Sequence, residues 1–458
     1  MTTKRWTLLL TSLGSFMVAL DGLVVTTALT RIRADLGASL AQLEWTINAY
    51  ALSFAVLLMA GSAIGDRIGR RRTFVAGLAV FSAASAACAL APTMGWLIVA
   101  RTVQGAGAAL VMPLAMALLS AAFGPQERAR ALGLFSGLSG LAVLAGPVVG
   151  GAITQGLAWE WIFWLNVPVG VVAIVLVRTR LEESRAGSPT IDAPGVGLVT
   201  GAALGIVWGL VRGDSSGWGS SEVLGSLGSG LALTGAFVAW ELRAREPMLP
   251  MRFFRSGAFS SGNAAGFFLY GSIYGAVFFV AQFLQIGQGY GVLSTGLRML
   301  PWTATLFVVA PIAGARINRV GERPLLVGGL ALQAIGLGWI ALVAAPDVAY
   351  VELVAPMIVA GVGGSMAMPA AQSSVMRSVD HGDVGKAAGA FNMLRFLGGA
   401  FAIAVVAAVF AGAGSYETPQ AFSDGFAAAL AVCAGLAVAG ALVASTPRPV
   451  PRVAAVAS

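Results

Sequence analysis

One carboxyl group in this chain stands deep inside an apolar run: Asp21, in FMVALDGLVVTTAL. The other nineteen of the 20 acidic residues fall in polar stretches or near the ends of apolar ones. Burial disfavours the charged form of a carboxyl, so such a group can load and release a proton. Within a membrane it costs about 2.5–3.5 kcal/mol on insertion scales, and it marks an ion or proton path or pairs with an arginine. Two arginines share that setting, Arg101 in VARTVQGAGAA and Arg395 in FNMLRFLGGA. Neither can shed its proton, so each needs a carboxylate, a carbonyl or a wet cavity. Gln104 lies one turn from Arg101 on the same helix face. Other chemistries lack their residues. The single histidine, His381, is in a polar loop, and Cys88 and Cys433 sit in separate apolar runs. No metal set, disulfide or nucleophile–base pair is expected. Gly105-Ala-Gly107 has no strand before it and is not a dinucleotide loop.

The elements that position these residues are long and apolar. The 458 residues are 57% hydrophobic and 10% charged, against about 25% charged in soluble domains, and the mean hydropathy is +0.84. Runs near twenty residues, each able to cross a hydrocarbon core, recur along the whole chain. Fourteen spans are expected: 6–29, 45–65, 74–92, 96–119, 131–155, 161–178, 194–211, 222–241, 258–285, 293–315, 325–345, 349–371, 386–412 and 423–445. The class is an all-α polytopic membrane protein, with the lipid bilayer as its surroundings. No connection is long enough for a soluble catalytic domain, so the activity must lie within or across the bilayer.

Basic residues orient the spans. Of 28 Lys and Arg, 22 fall at the N-terminus, in the even-numbered loops and in the C-terminal tail; four fall in the other loops. That bias predicts cytoplasmic termini in a cytoplasmic membrane. It also accounts for the net charge of +8 without nucleic acid as a partner. Trp45, Trp96, Trp159, Trp161, Trp218 and Trp240 fall near span ends, where interfacial belts form.

The chain repeats itself. GSAIGDRIGRRR (61–72) has a degenerate copy in GARINRVGER (314–323), with Asp66 and Arg67 matching Asn318 and Arg319 at an offset of 252. Gly105, Gly107, Met112 and Pro113 match Gly361, Gly363, Met368 and Pro369 at 256. Two related six-helix halves with two inserted helices follow. The boundaries are 1–180 for the first bundle, 181–250 for the insertion and 251–458 for the second bundle and tail. The ninth span mixes rings and amides, with Asn263, Tyr270, Tyr274, Gln282 and Gln285. With Gln104, Asn392 and Arg395 these form a candidate substrate cavity for an amphipathic small molecule, although such a stripe also serves plain packing.

Together these motifs resemble the major facilitator superfamily, and within it the fourteen-helix drug:proton antiporters. Residues 61–72 resemble its loop 2–3 signature and VARTVQGAGAA its helix 4 signature. Residues 140–151, ending GPVVGG, resemble the helix 5 signature of exporters. LDGLVVTTALTRI resembles the helix 1 signature, departing at Leu23, Thr26 and Thr30. WEWIFWLNVPVG resembles a fourteen-helix hallmark, with Glu160 where arginine is common. The resemblance implies alternating access by two rocking bundles and a monomer without cofactor, with protons as the coupling ion. It implies proton coupling at Asp21 and Arg101. It implies a gate of Asp66, Arg67, Gly69, Arg70 and Arg71 with Arg128 and Arg130. The antiporter residues would be Gly140, Gly146, Pro147, Gly150 and Gly151, with Gly146, Pro147 and Gly150 letting helix 5 pack against the other half. A single deep carboxylate leads us to expect few coupled protons and a core that is not strongly anionic. A dedicated exporter of an endogenous antibiotic, siderophore or lipid is an alternative, and a proton-coupled importer a further one.

Overall fold

The computed structural model describes residues 2–123, 125–185, 192–379 and 383–446, and every regular element among them is helical. Thirteen helices carry an apolar window long enough to cross a membrane. They are α1 (Thr3–Leu36), α2 (Leu40–Ile68), α3 (Arg70–Ala89), α4 (Met94–Ala122), α6 (Trp161–Arg180), α7 (Ala193–Gly213), α8 (Ser221–Glu241), α9 (Gly257–Gly287), α10 (Val292–Ile317), α11 (Glu322–Val343), α12 (Tyr350–Met376), α13 (Lys386–Ala413) and α14 (Pro419–Ser445). The 32-residue helix Pro125–Gly156, α5, lies between α4 and α6 and completes fourteen.

The ends follow local chemistry. Gly37 closes α1 at φ 61°, a conformation natural to glycine. Ser39 then opens α2 with a reciprocal capping box to Gln42. This starts α2 at Leu40, five residues before the expected 45. Glu44 therefore falls inside the helix, where it is 3% exposed. The expectation that Asp21 alone is a deep carboxylate is corrected accordingly. α6 is broken at Leu165, and its longer segment begins at Asn166. The end of α9 widens into a π-helical turn over Phe283–Gly287, a feature frequent at functional positions.

The sequence repeat is a repeat of packing. In the first half α1 packs on α5 and α4, α2 on α4, and α3 on α4 and α6; in the second α9 packs on α13 and α12, α10 on α12, and α11 on α12 and α14. The matched glycines explain why. A Cβ on Gly107 would stand 2.6 Å from Phe81 N, and one on Gly363 would strike the backbone of Gly329 and Gln333. Each half thus allows the same close helix crossing through a missing side chain.

The halves meet along α2–α13 and α5–α10, and also where α1 approaches α9. The inserted helices pack on each other, and α7 lies against α2 and α13. A largely apolar cleft of about 1060 Å³ opens between α2, α4 and this pair, with Trp45, Leu52, Val56 and Trp208 in its wall. Exposed apolar side chains such as Leu231, Leu342 and Val351 face outward from the bundle, as lipid contact requires.

Candidate functional site

Asp21 is 1% exposed and Arg101 is 1% exposed, and they form an ion pair across 2.5 Å. The pair joins the middle of α1 to α4. Two amides complete it. Gln104 Nε2 donates to Asp21 Oδ1 at 2.9 Å, and Asn166 Nδ2 donates to the same oxygen at 2.8 Å. Both amides also donate to Ser85 Oγ, at 2.7 and 3.3 Å. Arg101 spends its other donors on Thr46 O at 3.2 Å and on Gln104 Oε1 at 2.6 Å. Its guanidinium lies over the Tyr50 ring, 4.2 Å from the centroid, and Tyr50 donates to Val18 O. Five helices thus converge on one carboxylate.

A buried ion pair survives only when its remaining donors and acceptors are satisfied, and this one meets that condition. Chemically the set can hold a proton or a charge, but it offers no nucleophile and no reacting position. Ser85 and Asn166 escaped sequence reading. Asn166 stood in WEWIFWLNVPVG, already notable, and an amide in an otherwise apolar segment was the available signal.

The candidate cavity residues divide into groups. Gln104 belongs to the carboxylate network. Tyr270, Tyr274, Asn392 and Arg395 come together between α9 and α13. Arg395 lies over the Tyr270 ring at 4.2 Å and near Phe396 at 5.1 Å, and Asn392 donates to Ala388 O. Asn263 donates to Phe259 O one turn back. Gln282 and Gln285 lie at the end of α9 remote from the chain termini. There Gln285 pairs with Thr30 and donates to Thr27 O, while Gln282 accepts from Tyr416 at 2.6 Å.

That remote end is closed. Arg33 of α1 lies 3.7 Å from the Tyr416 ring centroid. Burial pushes the Tyr416 phenol well above its ordinary range, Arg33 opposes the rise and the nearby Glu44 adds to it. Helix α5 contributes too, in a way that corrects an expectation. Gly146 and Gly150 let it press against Leu23 and Val24 of α1, in its own half; among the described glycines of this set it is Gly151 that meets the other half, where a Cβ would be 2.7 Å from Leu293 Cα. The reason is helical spacing: Gly146 and Gly150 share a face, and Gly151 is turned about 100° away. The surroundings of Gly140, Pro147, Arg128 and Arg130 lie outside what is described.

At the end carrying the termini, Asp66 pairs with Arg70 at 2.7 Å. Glu183, from the connection after α6, takes the backbone N–H groups of Arg71 at 2.9 Å and Arg72 at 3.2 Å. It thereby caps α3 with a negative charge at its N-terminus. Gly69 has φ +129°, and a Cβ there would stand 2.8 Å from the Glu183 carboxyl carbon. Arg67 is exposed. Sequence reading missed Glu183 because its partner backbone lies more than a hundred residues away.

Fourteen apolar helices in two like-packed bundles, meeting beside a sealed carboxylate–guanidinium pair, define a multi-pass membrane transporter rather than an enzyme. The chain belongs to the Major Facilitator Superfamily, whose model matches residues 11–403. It is 38% identical over 337 residues to the tetracenomycin C resistance and export protein of Streptomyces glaucescens, covering 73% of this chain and 63% of that protein's length. It is 32% identical over 413 residues to the multidrug transporter protein MdtP of Bacillus subtilis, covering 89% of this chain and 75% of the relative. Among solved structures, a D-xylose–proton symporter matches with a TM-score of 0.71 at 15% identity, over 97% of this chain and 98% of that one. That likeness concerns the fold.

Proposed function

We propose that this transporter exports amphipathic small molecules across the cytoplasmic membrane in exchange for protons, by alternating access. The observation that carries this reading is the Asp21–Arg101 pair, the one ion pair among the described residues with both side chains fully buried. A carboxylate held there is worth its insertion cost when its charge must change. Protonating Asp21 removes the negative charge that ties α1 to α4 and leaves the Arg101 charge with only the neutral acceptors Thr46 O and Gln104. Helix α1 also carries Thr27, Thr30 and Arg33, so a proton at Asp21 bears on the closed end. The basic bias of the loops favours cytoplasmic termini, so on this reading the closed end faces outward. Asp66, Arg70 and the Glu183 cap belong to the cytoplasmic gate. The transporter acts as a monomer with no cofactor beyond the coupling proton.

The direction draws support from relatives described as export and multidrug proteins. A second reading keeps the mechanism and narrows the cargo to one endogenous metabolite, favoured by the relative that exports tetracenomycin C. The test is uptake into inside-out vesicles under an imposed pH gradient, with a panel of amphipathic dyes and Asp21→Asn beside the unaltered protein. Gradient-driven uptake that the variant abolishes is expected. Uptake unchanged by the variant removes Asp21 as the proton carrier.

A further inference from the structure

The two arginines within the bundles are provided for very differently. Arg101 faces Asp21 and bonds to Thr46 O and Gln104. Arg395 makes no ion pair with any described carboxylate, and its Nε is buried with no hydrogen-bond partner. Its guanidinium is held by rings instead, Tyr270 at 4.2 Å and Phe396 at 5.1 Å, with the Tyr274 hydroxyl also in reach. Ring faces attract a cation but do not neutralise it, and guanidinium cannot lose its proton. The middle of α13 therefore holds a standing positive charge.

The position suits a ligand. Asn392, Arg395 and Phe396 share one face of α13 and are each only partly buried, as is Tyr274 across from them. Phe396 reaches the other half, 4.3 Å centroid to centroid from Phe54 of α2, and is stacked with Tyr274 at 6.3 Å. Phe54 in turn neighbours Tyr50, on which Arg101 lies. A guanidinium with donors to spare, beside an aromatic wall between the two halves, matches a planar aromatic molecule bearing a carboxylate, enolate or phenolate.

We propose that Arg395 is the anion-recognising residue of the transport path and that the preferred cargo is an aromatic organic anion, its charge on Arg395 and its rings against Phe396, Phe54 and Tyr274. This rests on the exporter reading and narrows it. An electrical consequence follows. An anion leaving and a proton entering both carry positive charge inward, so an inside-negative potential drives the exchange. A monocation leaving for one proton moves no net charge.

The experiment uses the full chain in proteoliposomes under a pH gradient, with two probes of one ring system and opposite charge, 2-naphthoate and 2-naphthyltrimethylammonium. The unaltered protein should take up 2-naphthoate preferentially, faster under a potassium–valinomycin potential of the driving sign. Arg395→Gln should cut that uptake about tenfold or more and leave any ammonium uptake undiminished. Arg395→Lys keeps the charge without the fork, and should raise the KM for 2-naphthoate while sparing kcat. This second variant decides the matter should the first fail to fold. Naphthoate uptake indifferent to both variants overturns the proposal. Transport of the ammonium alone overturns it and leaves the exporter reading intact, whereas transport of neither probe counts against both.

Discussion

Asn166 and Asp21 share a 2.8 Å hydrogen bond across 145 residues of chain, and the carboxylate oxygen that accepts it also accepts from Gln104. The bond binds the start of the long segment of α6 to the middle of α1. Together with Arg101 it gives the carboxylate donors on both oxygens.

Replacing Asn166 with Ala removes one of the donors to the Asp21 carboxylate. Proton-driven uptake should fall several-fold, since one hydrogen bond to a charged group is worth about 1.5–3 kcal/mol. Substrate exchange without a gradient should persist. The ratio of driven uptake to counterflow in proteoliposomes measures this, and an equal loss in both would assign Asn166 to folding instead.

Arg101→Leu leaves the Asp21 carboxylate buried and uncompensated. Breaking such a pair costs about 3–5 kcal/mol, so the variant should unfold markedly earlier in detergent thermal melts. Adding Asp21→Asn should restore much of the lost stability while transport stays absent. A double variant no more stable than the single one contradicts the compensation.

Gly151→Leu should hold the far end apart, because even a Cβ there meets Leu293 and Val292 at 2.7 Å. Spin labels at Cys introduced for Ala34 and Gly291, both exposed, should then report a longer distance between α1 and α10 by pulsed resonance. The native Cys88 and Cys433 are buried and should not label. Distances unmoved by the substitution would place the hinge elsewhere.

Glu183→Ala strips the acceptor from the Arg71 and Arg72 backbone N–H groups and removes a negative charge from the start of α3. A lost cap costs about 0.5–2 kcal/mol, so a modest drop in melting temperature is expected. Glu183→Gln, which keeps an acceptor oxygen, should lose less. Equal losses in the two variants would show that charge, not the hydrogen bonds, is what Glu183 supplies.

Much was legible without coordinates. Hydropathy is a sum over neighbours in the chain, so run length located all fourteen spans but not every end: α1 runs on to Leu36, past the expected 29, and α2 starts at Leu40, before the expected 45, because a capping box outranks apolarity at a helix start. The glycine matches 105/361 and 107/363 foretold two like halves, because a missing side chain at a crossing is a demand made by backbone contact. Asp21 and Arg101 were conspicuous because a charge in hydrocarbon is costly and therefore rare. In sequence Gln282 and Gln285 continue the polar stripe of α9, while in space they fasten its end to Tyr416, Thr30 and Thr27.

By itself, then, the sequence determined that the chain crosses a membrane fourteen times, as a doubled bundle with Asp21, Arg101 and Arg395 set deep within its helices. Those are properties of single residues and of their immediate neighbours. Only the tertiary structure decided that Asp21 neutralises Arg101 and leaves Arg395 among rings, that Asn166, Ser85 and Gln104 complete the network, and that Gly151 rather than Gly146 touches the second half. Partners brought together across 80 or 145 residues are selected by the direction each side chain takes from its helix and by which helices pack together, and neither is written in any one stretch of chain.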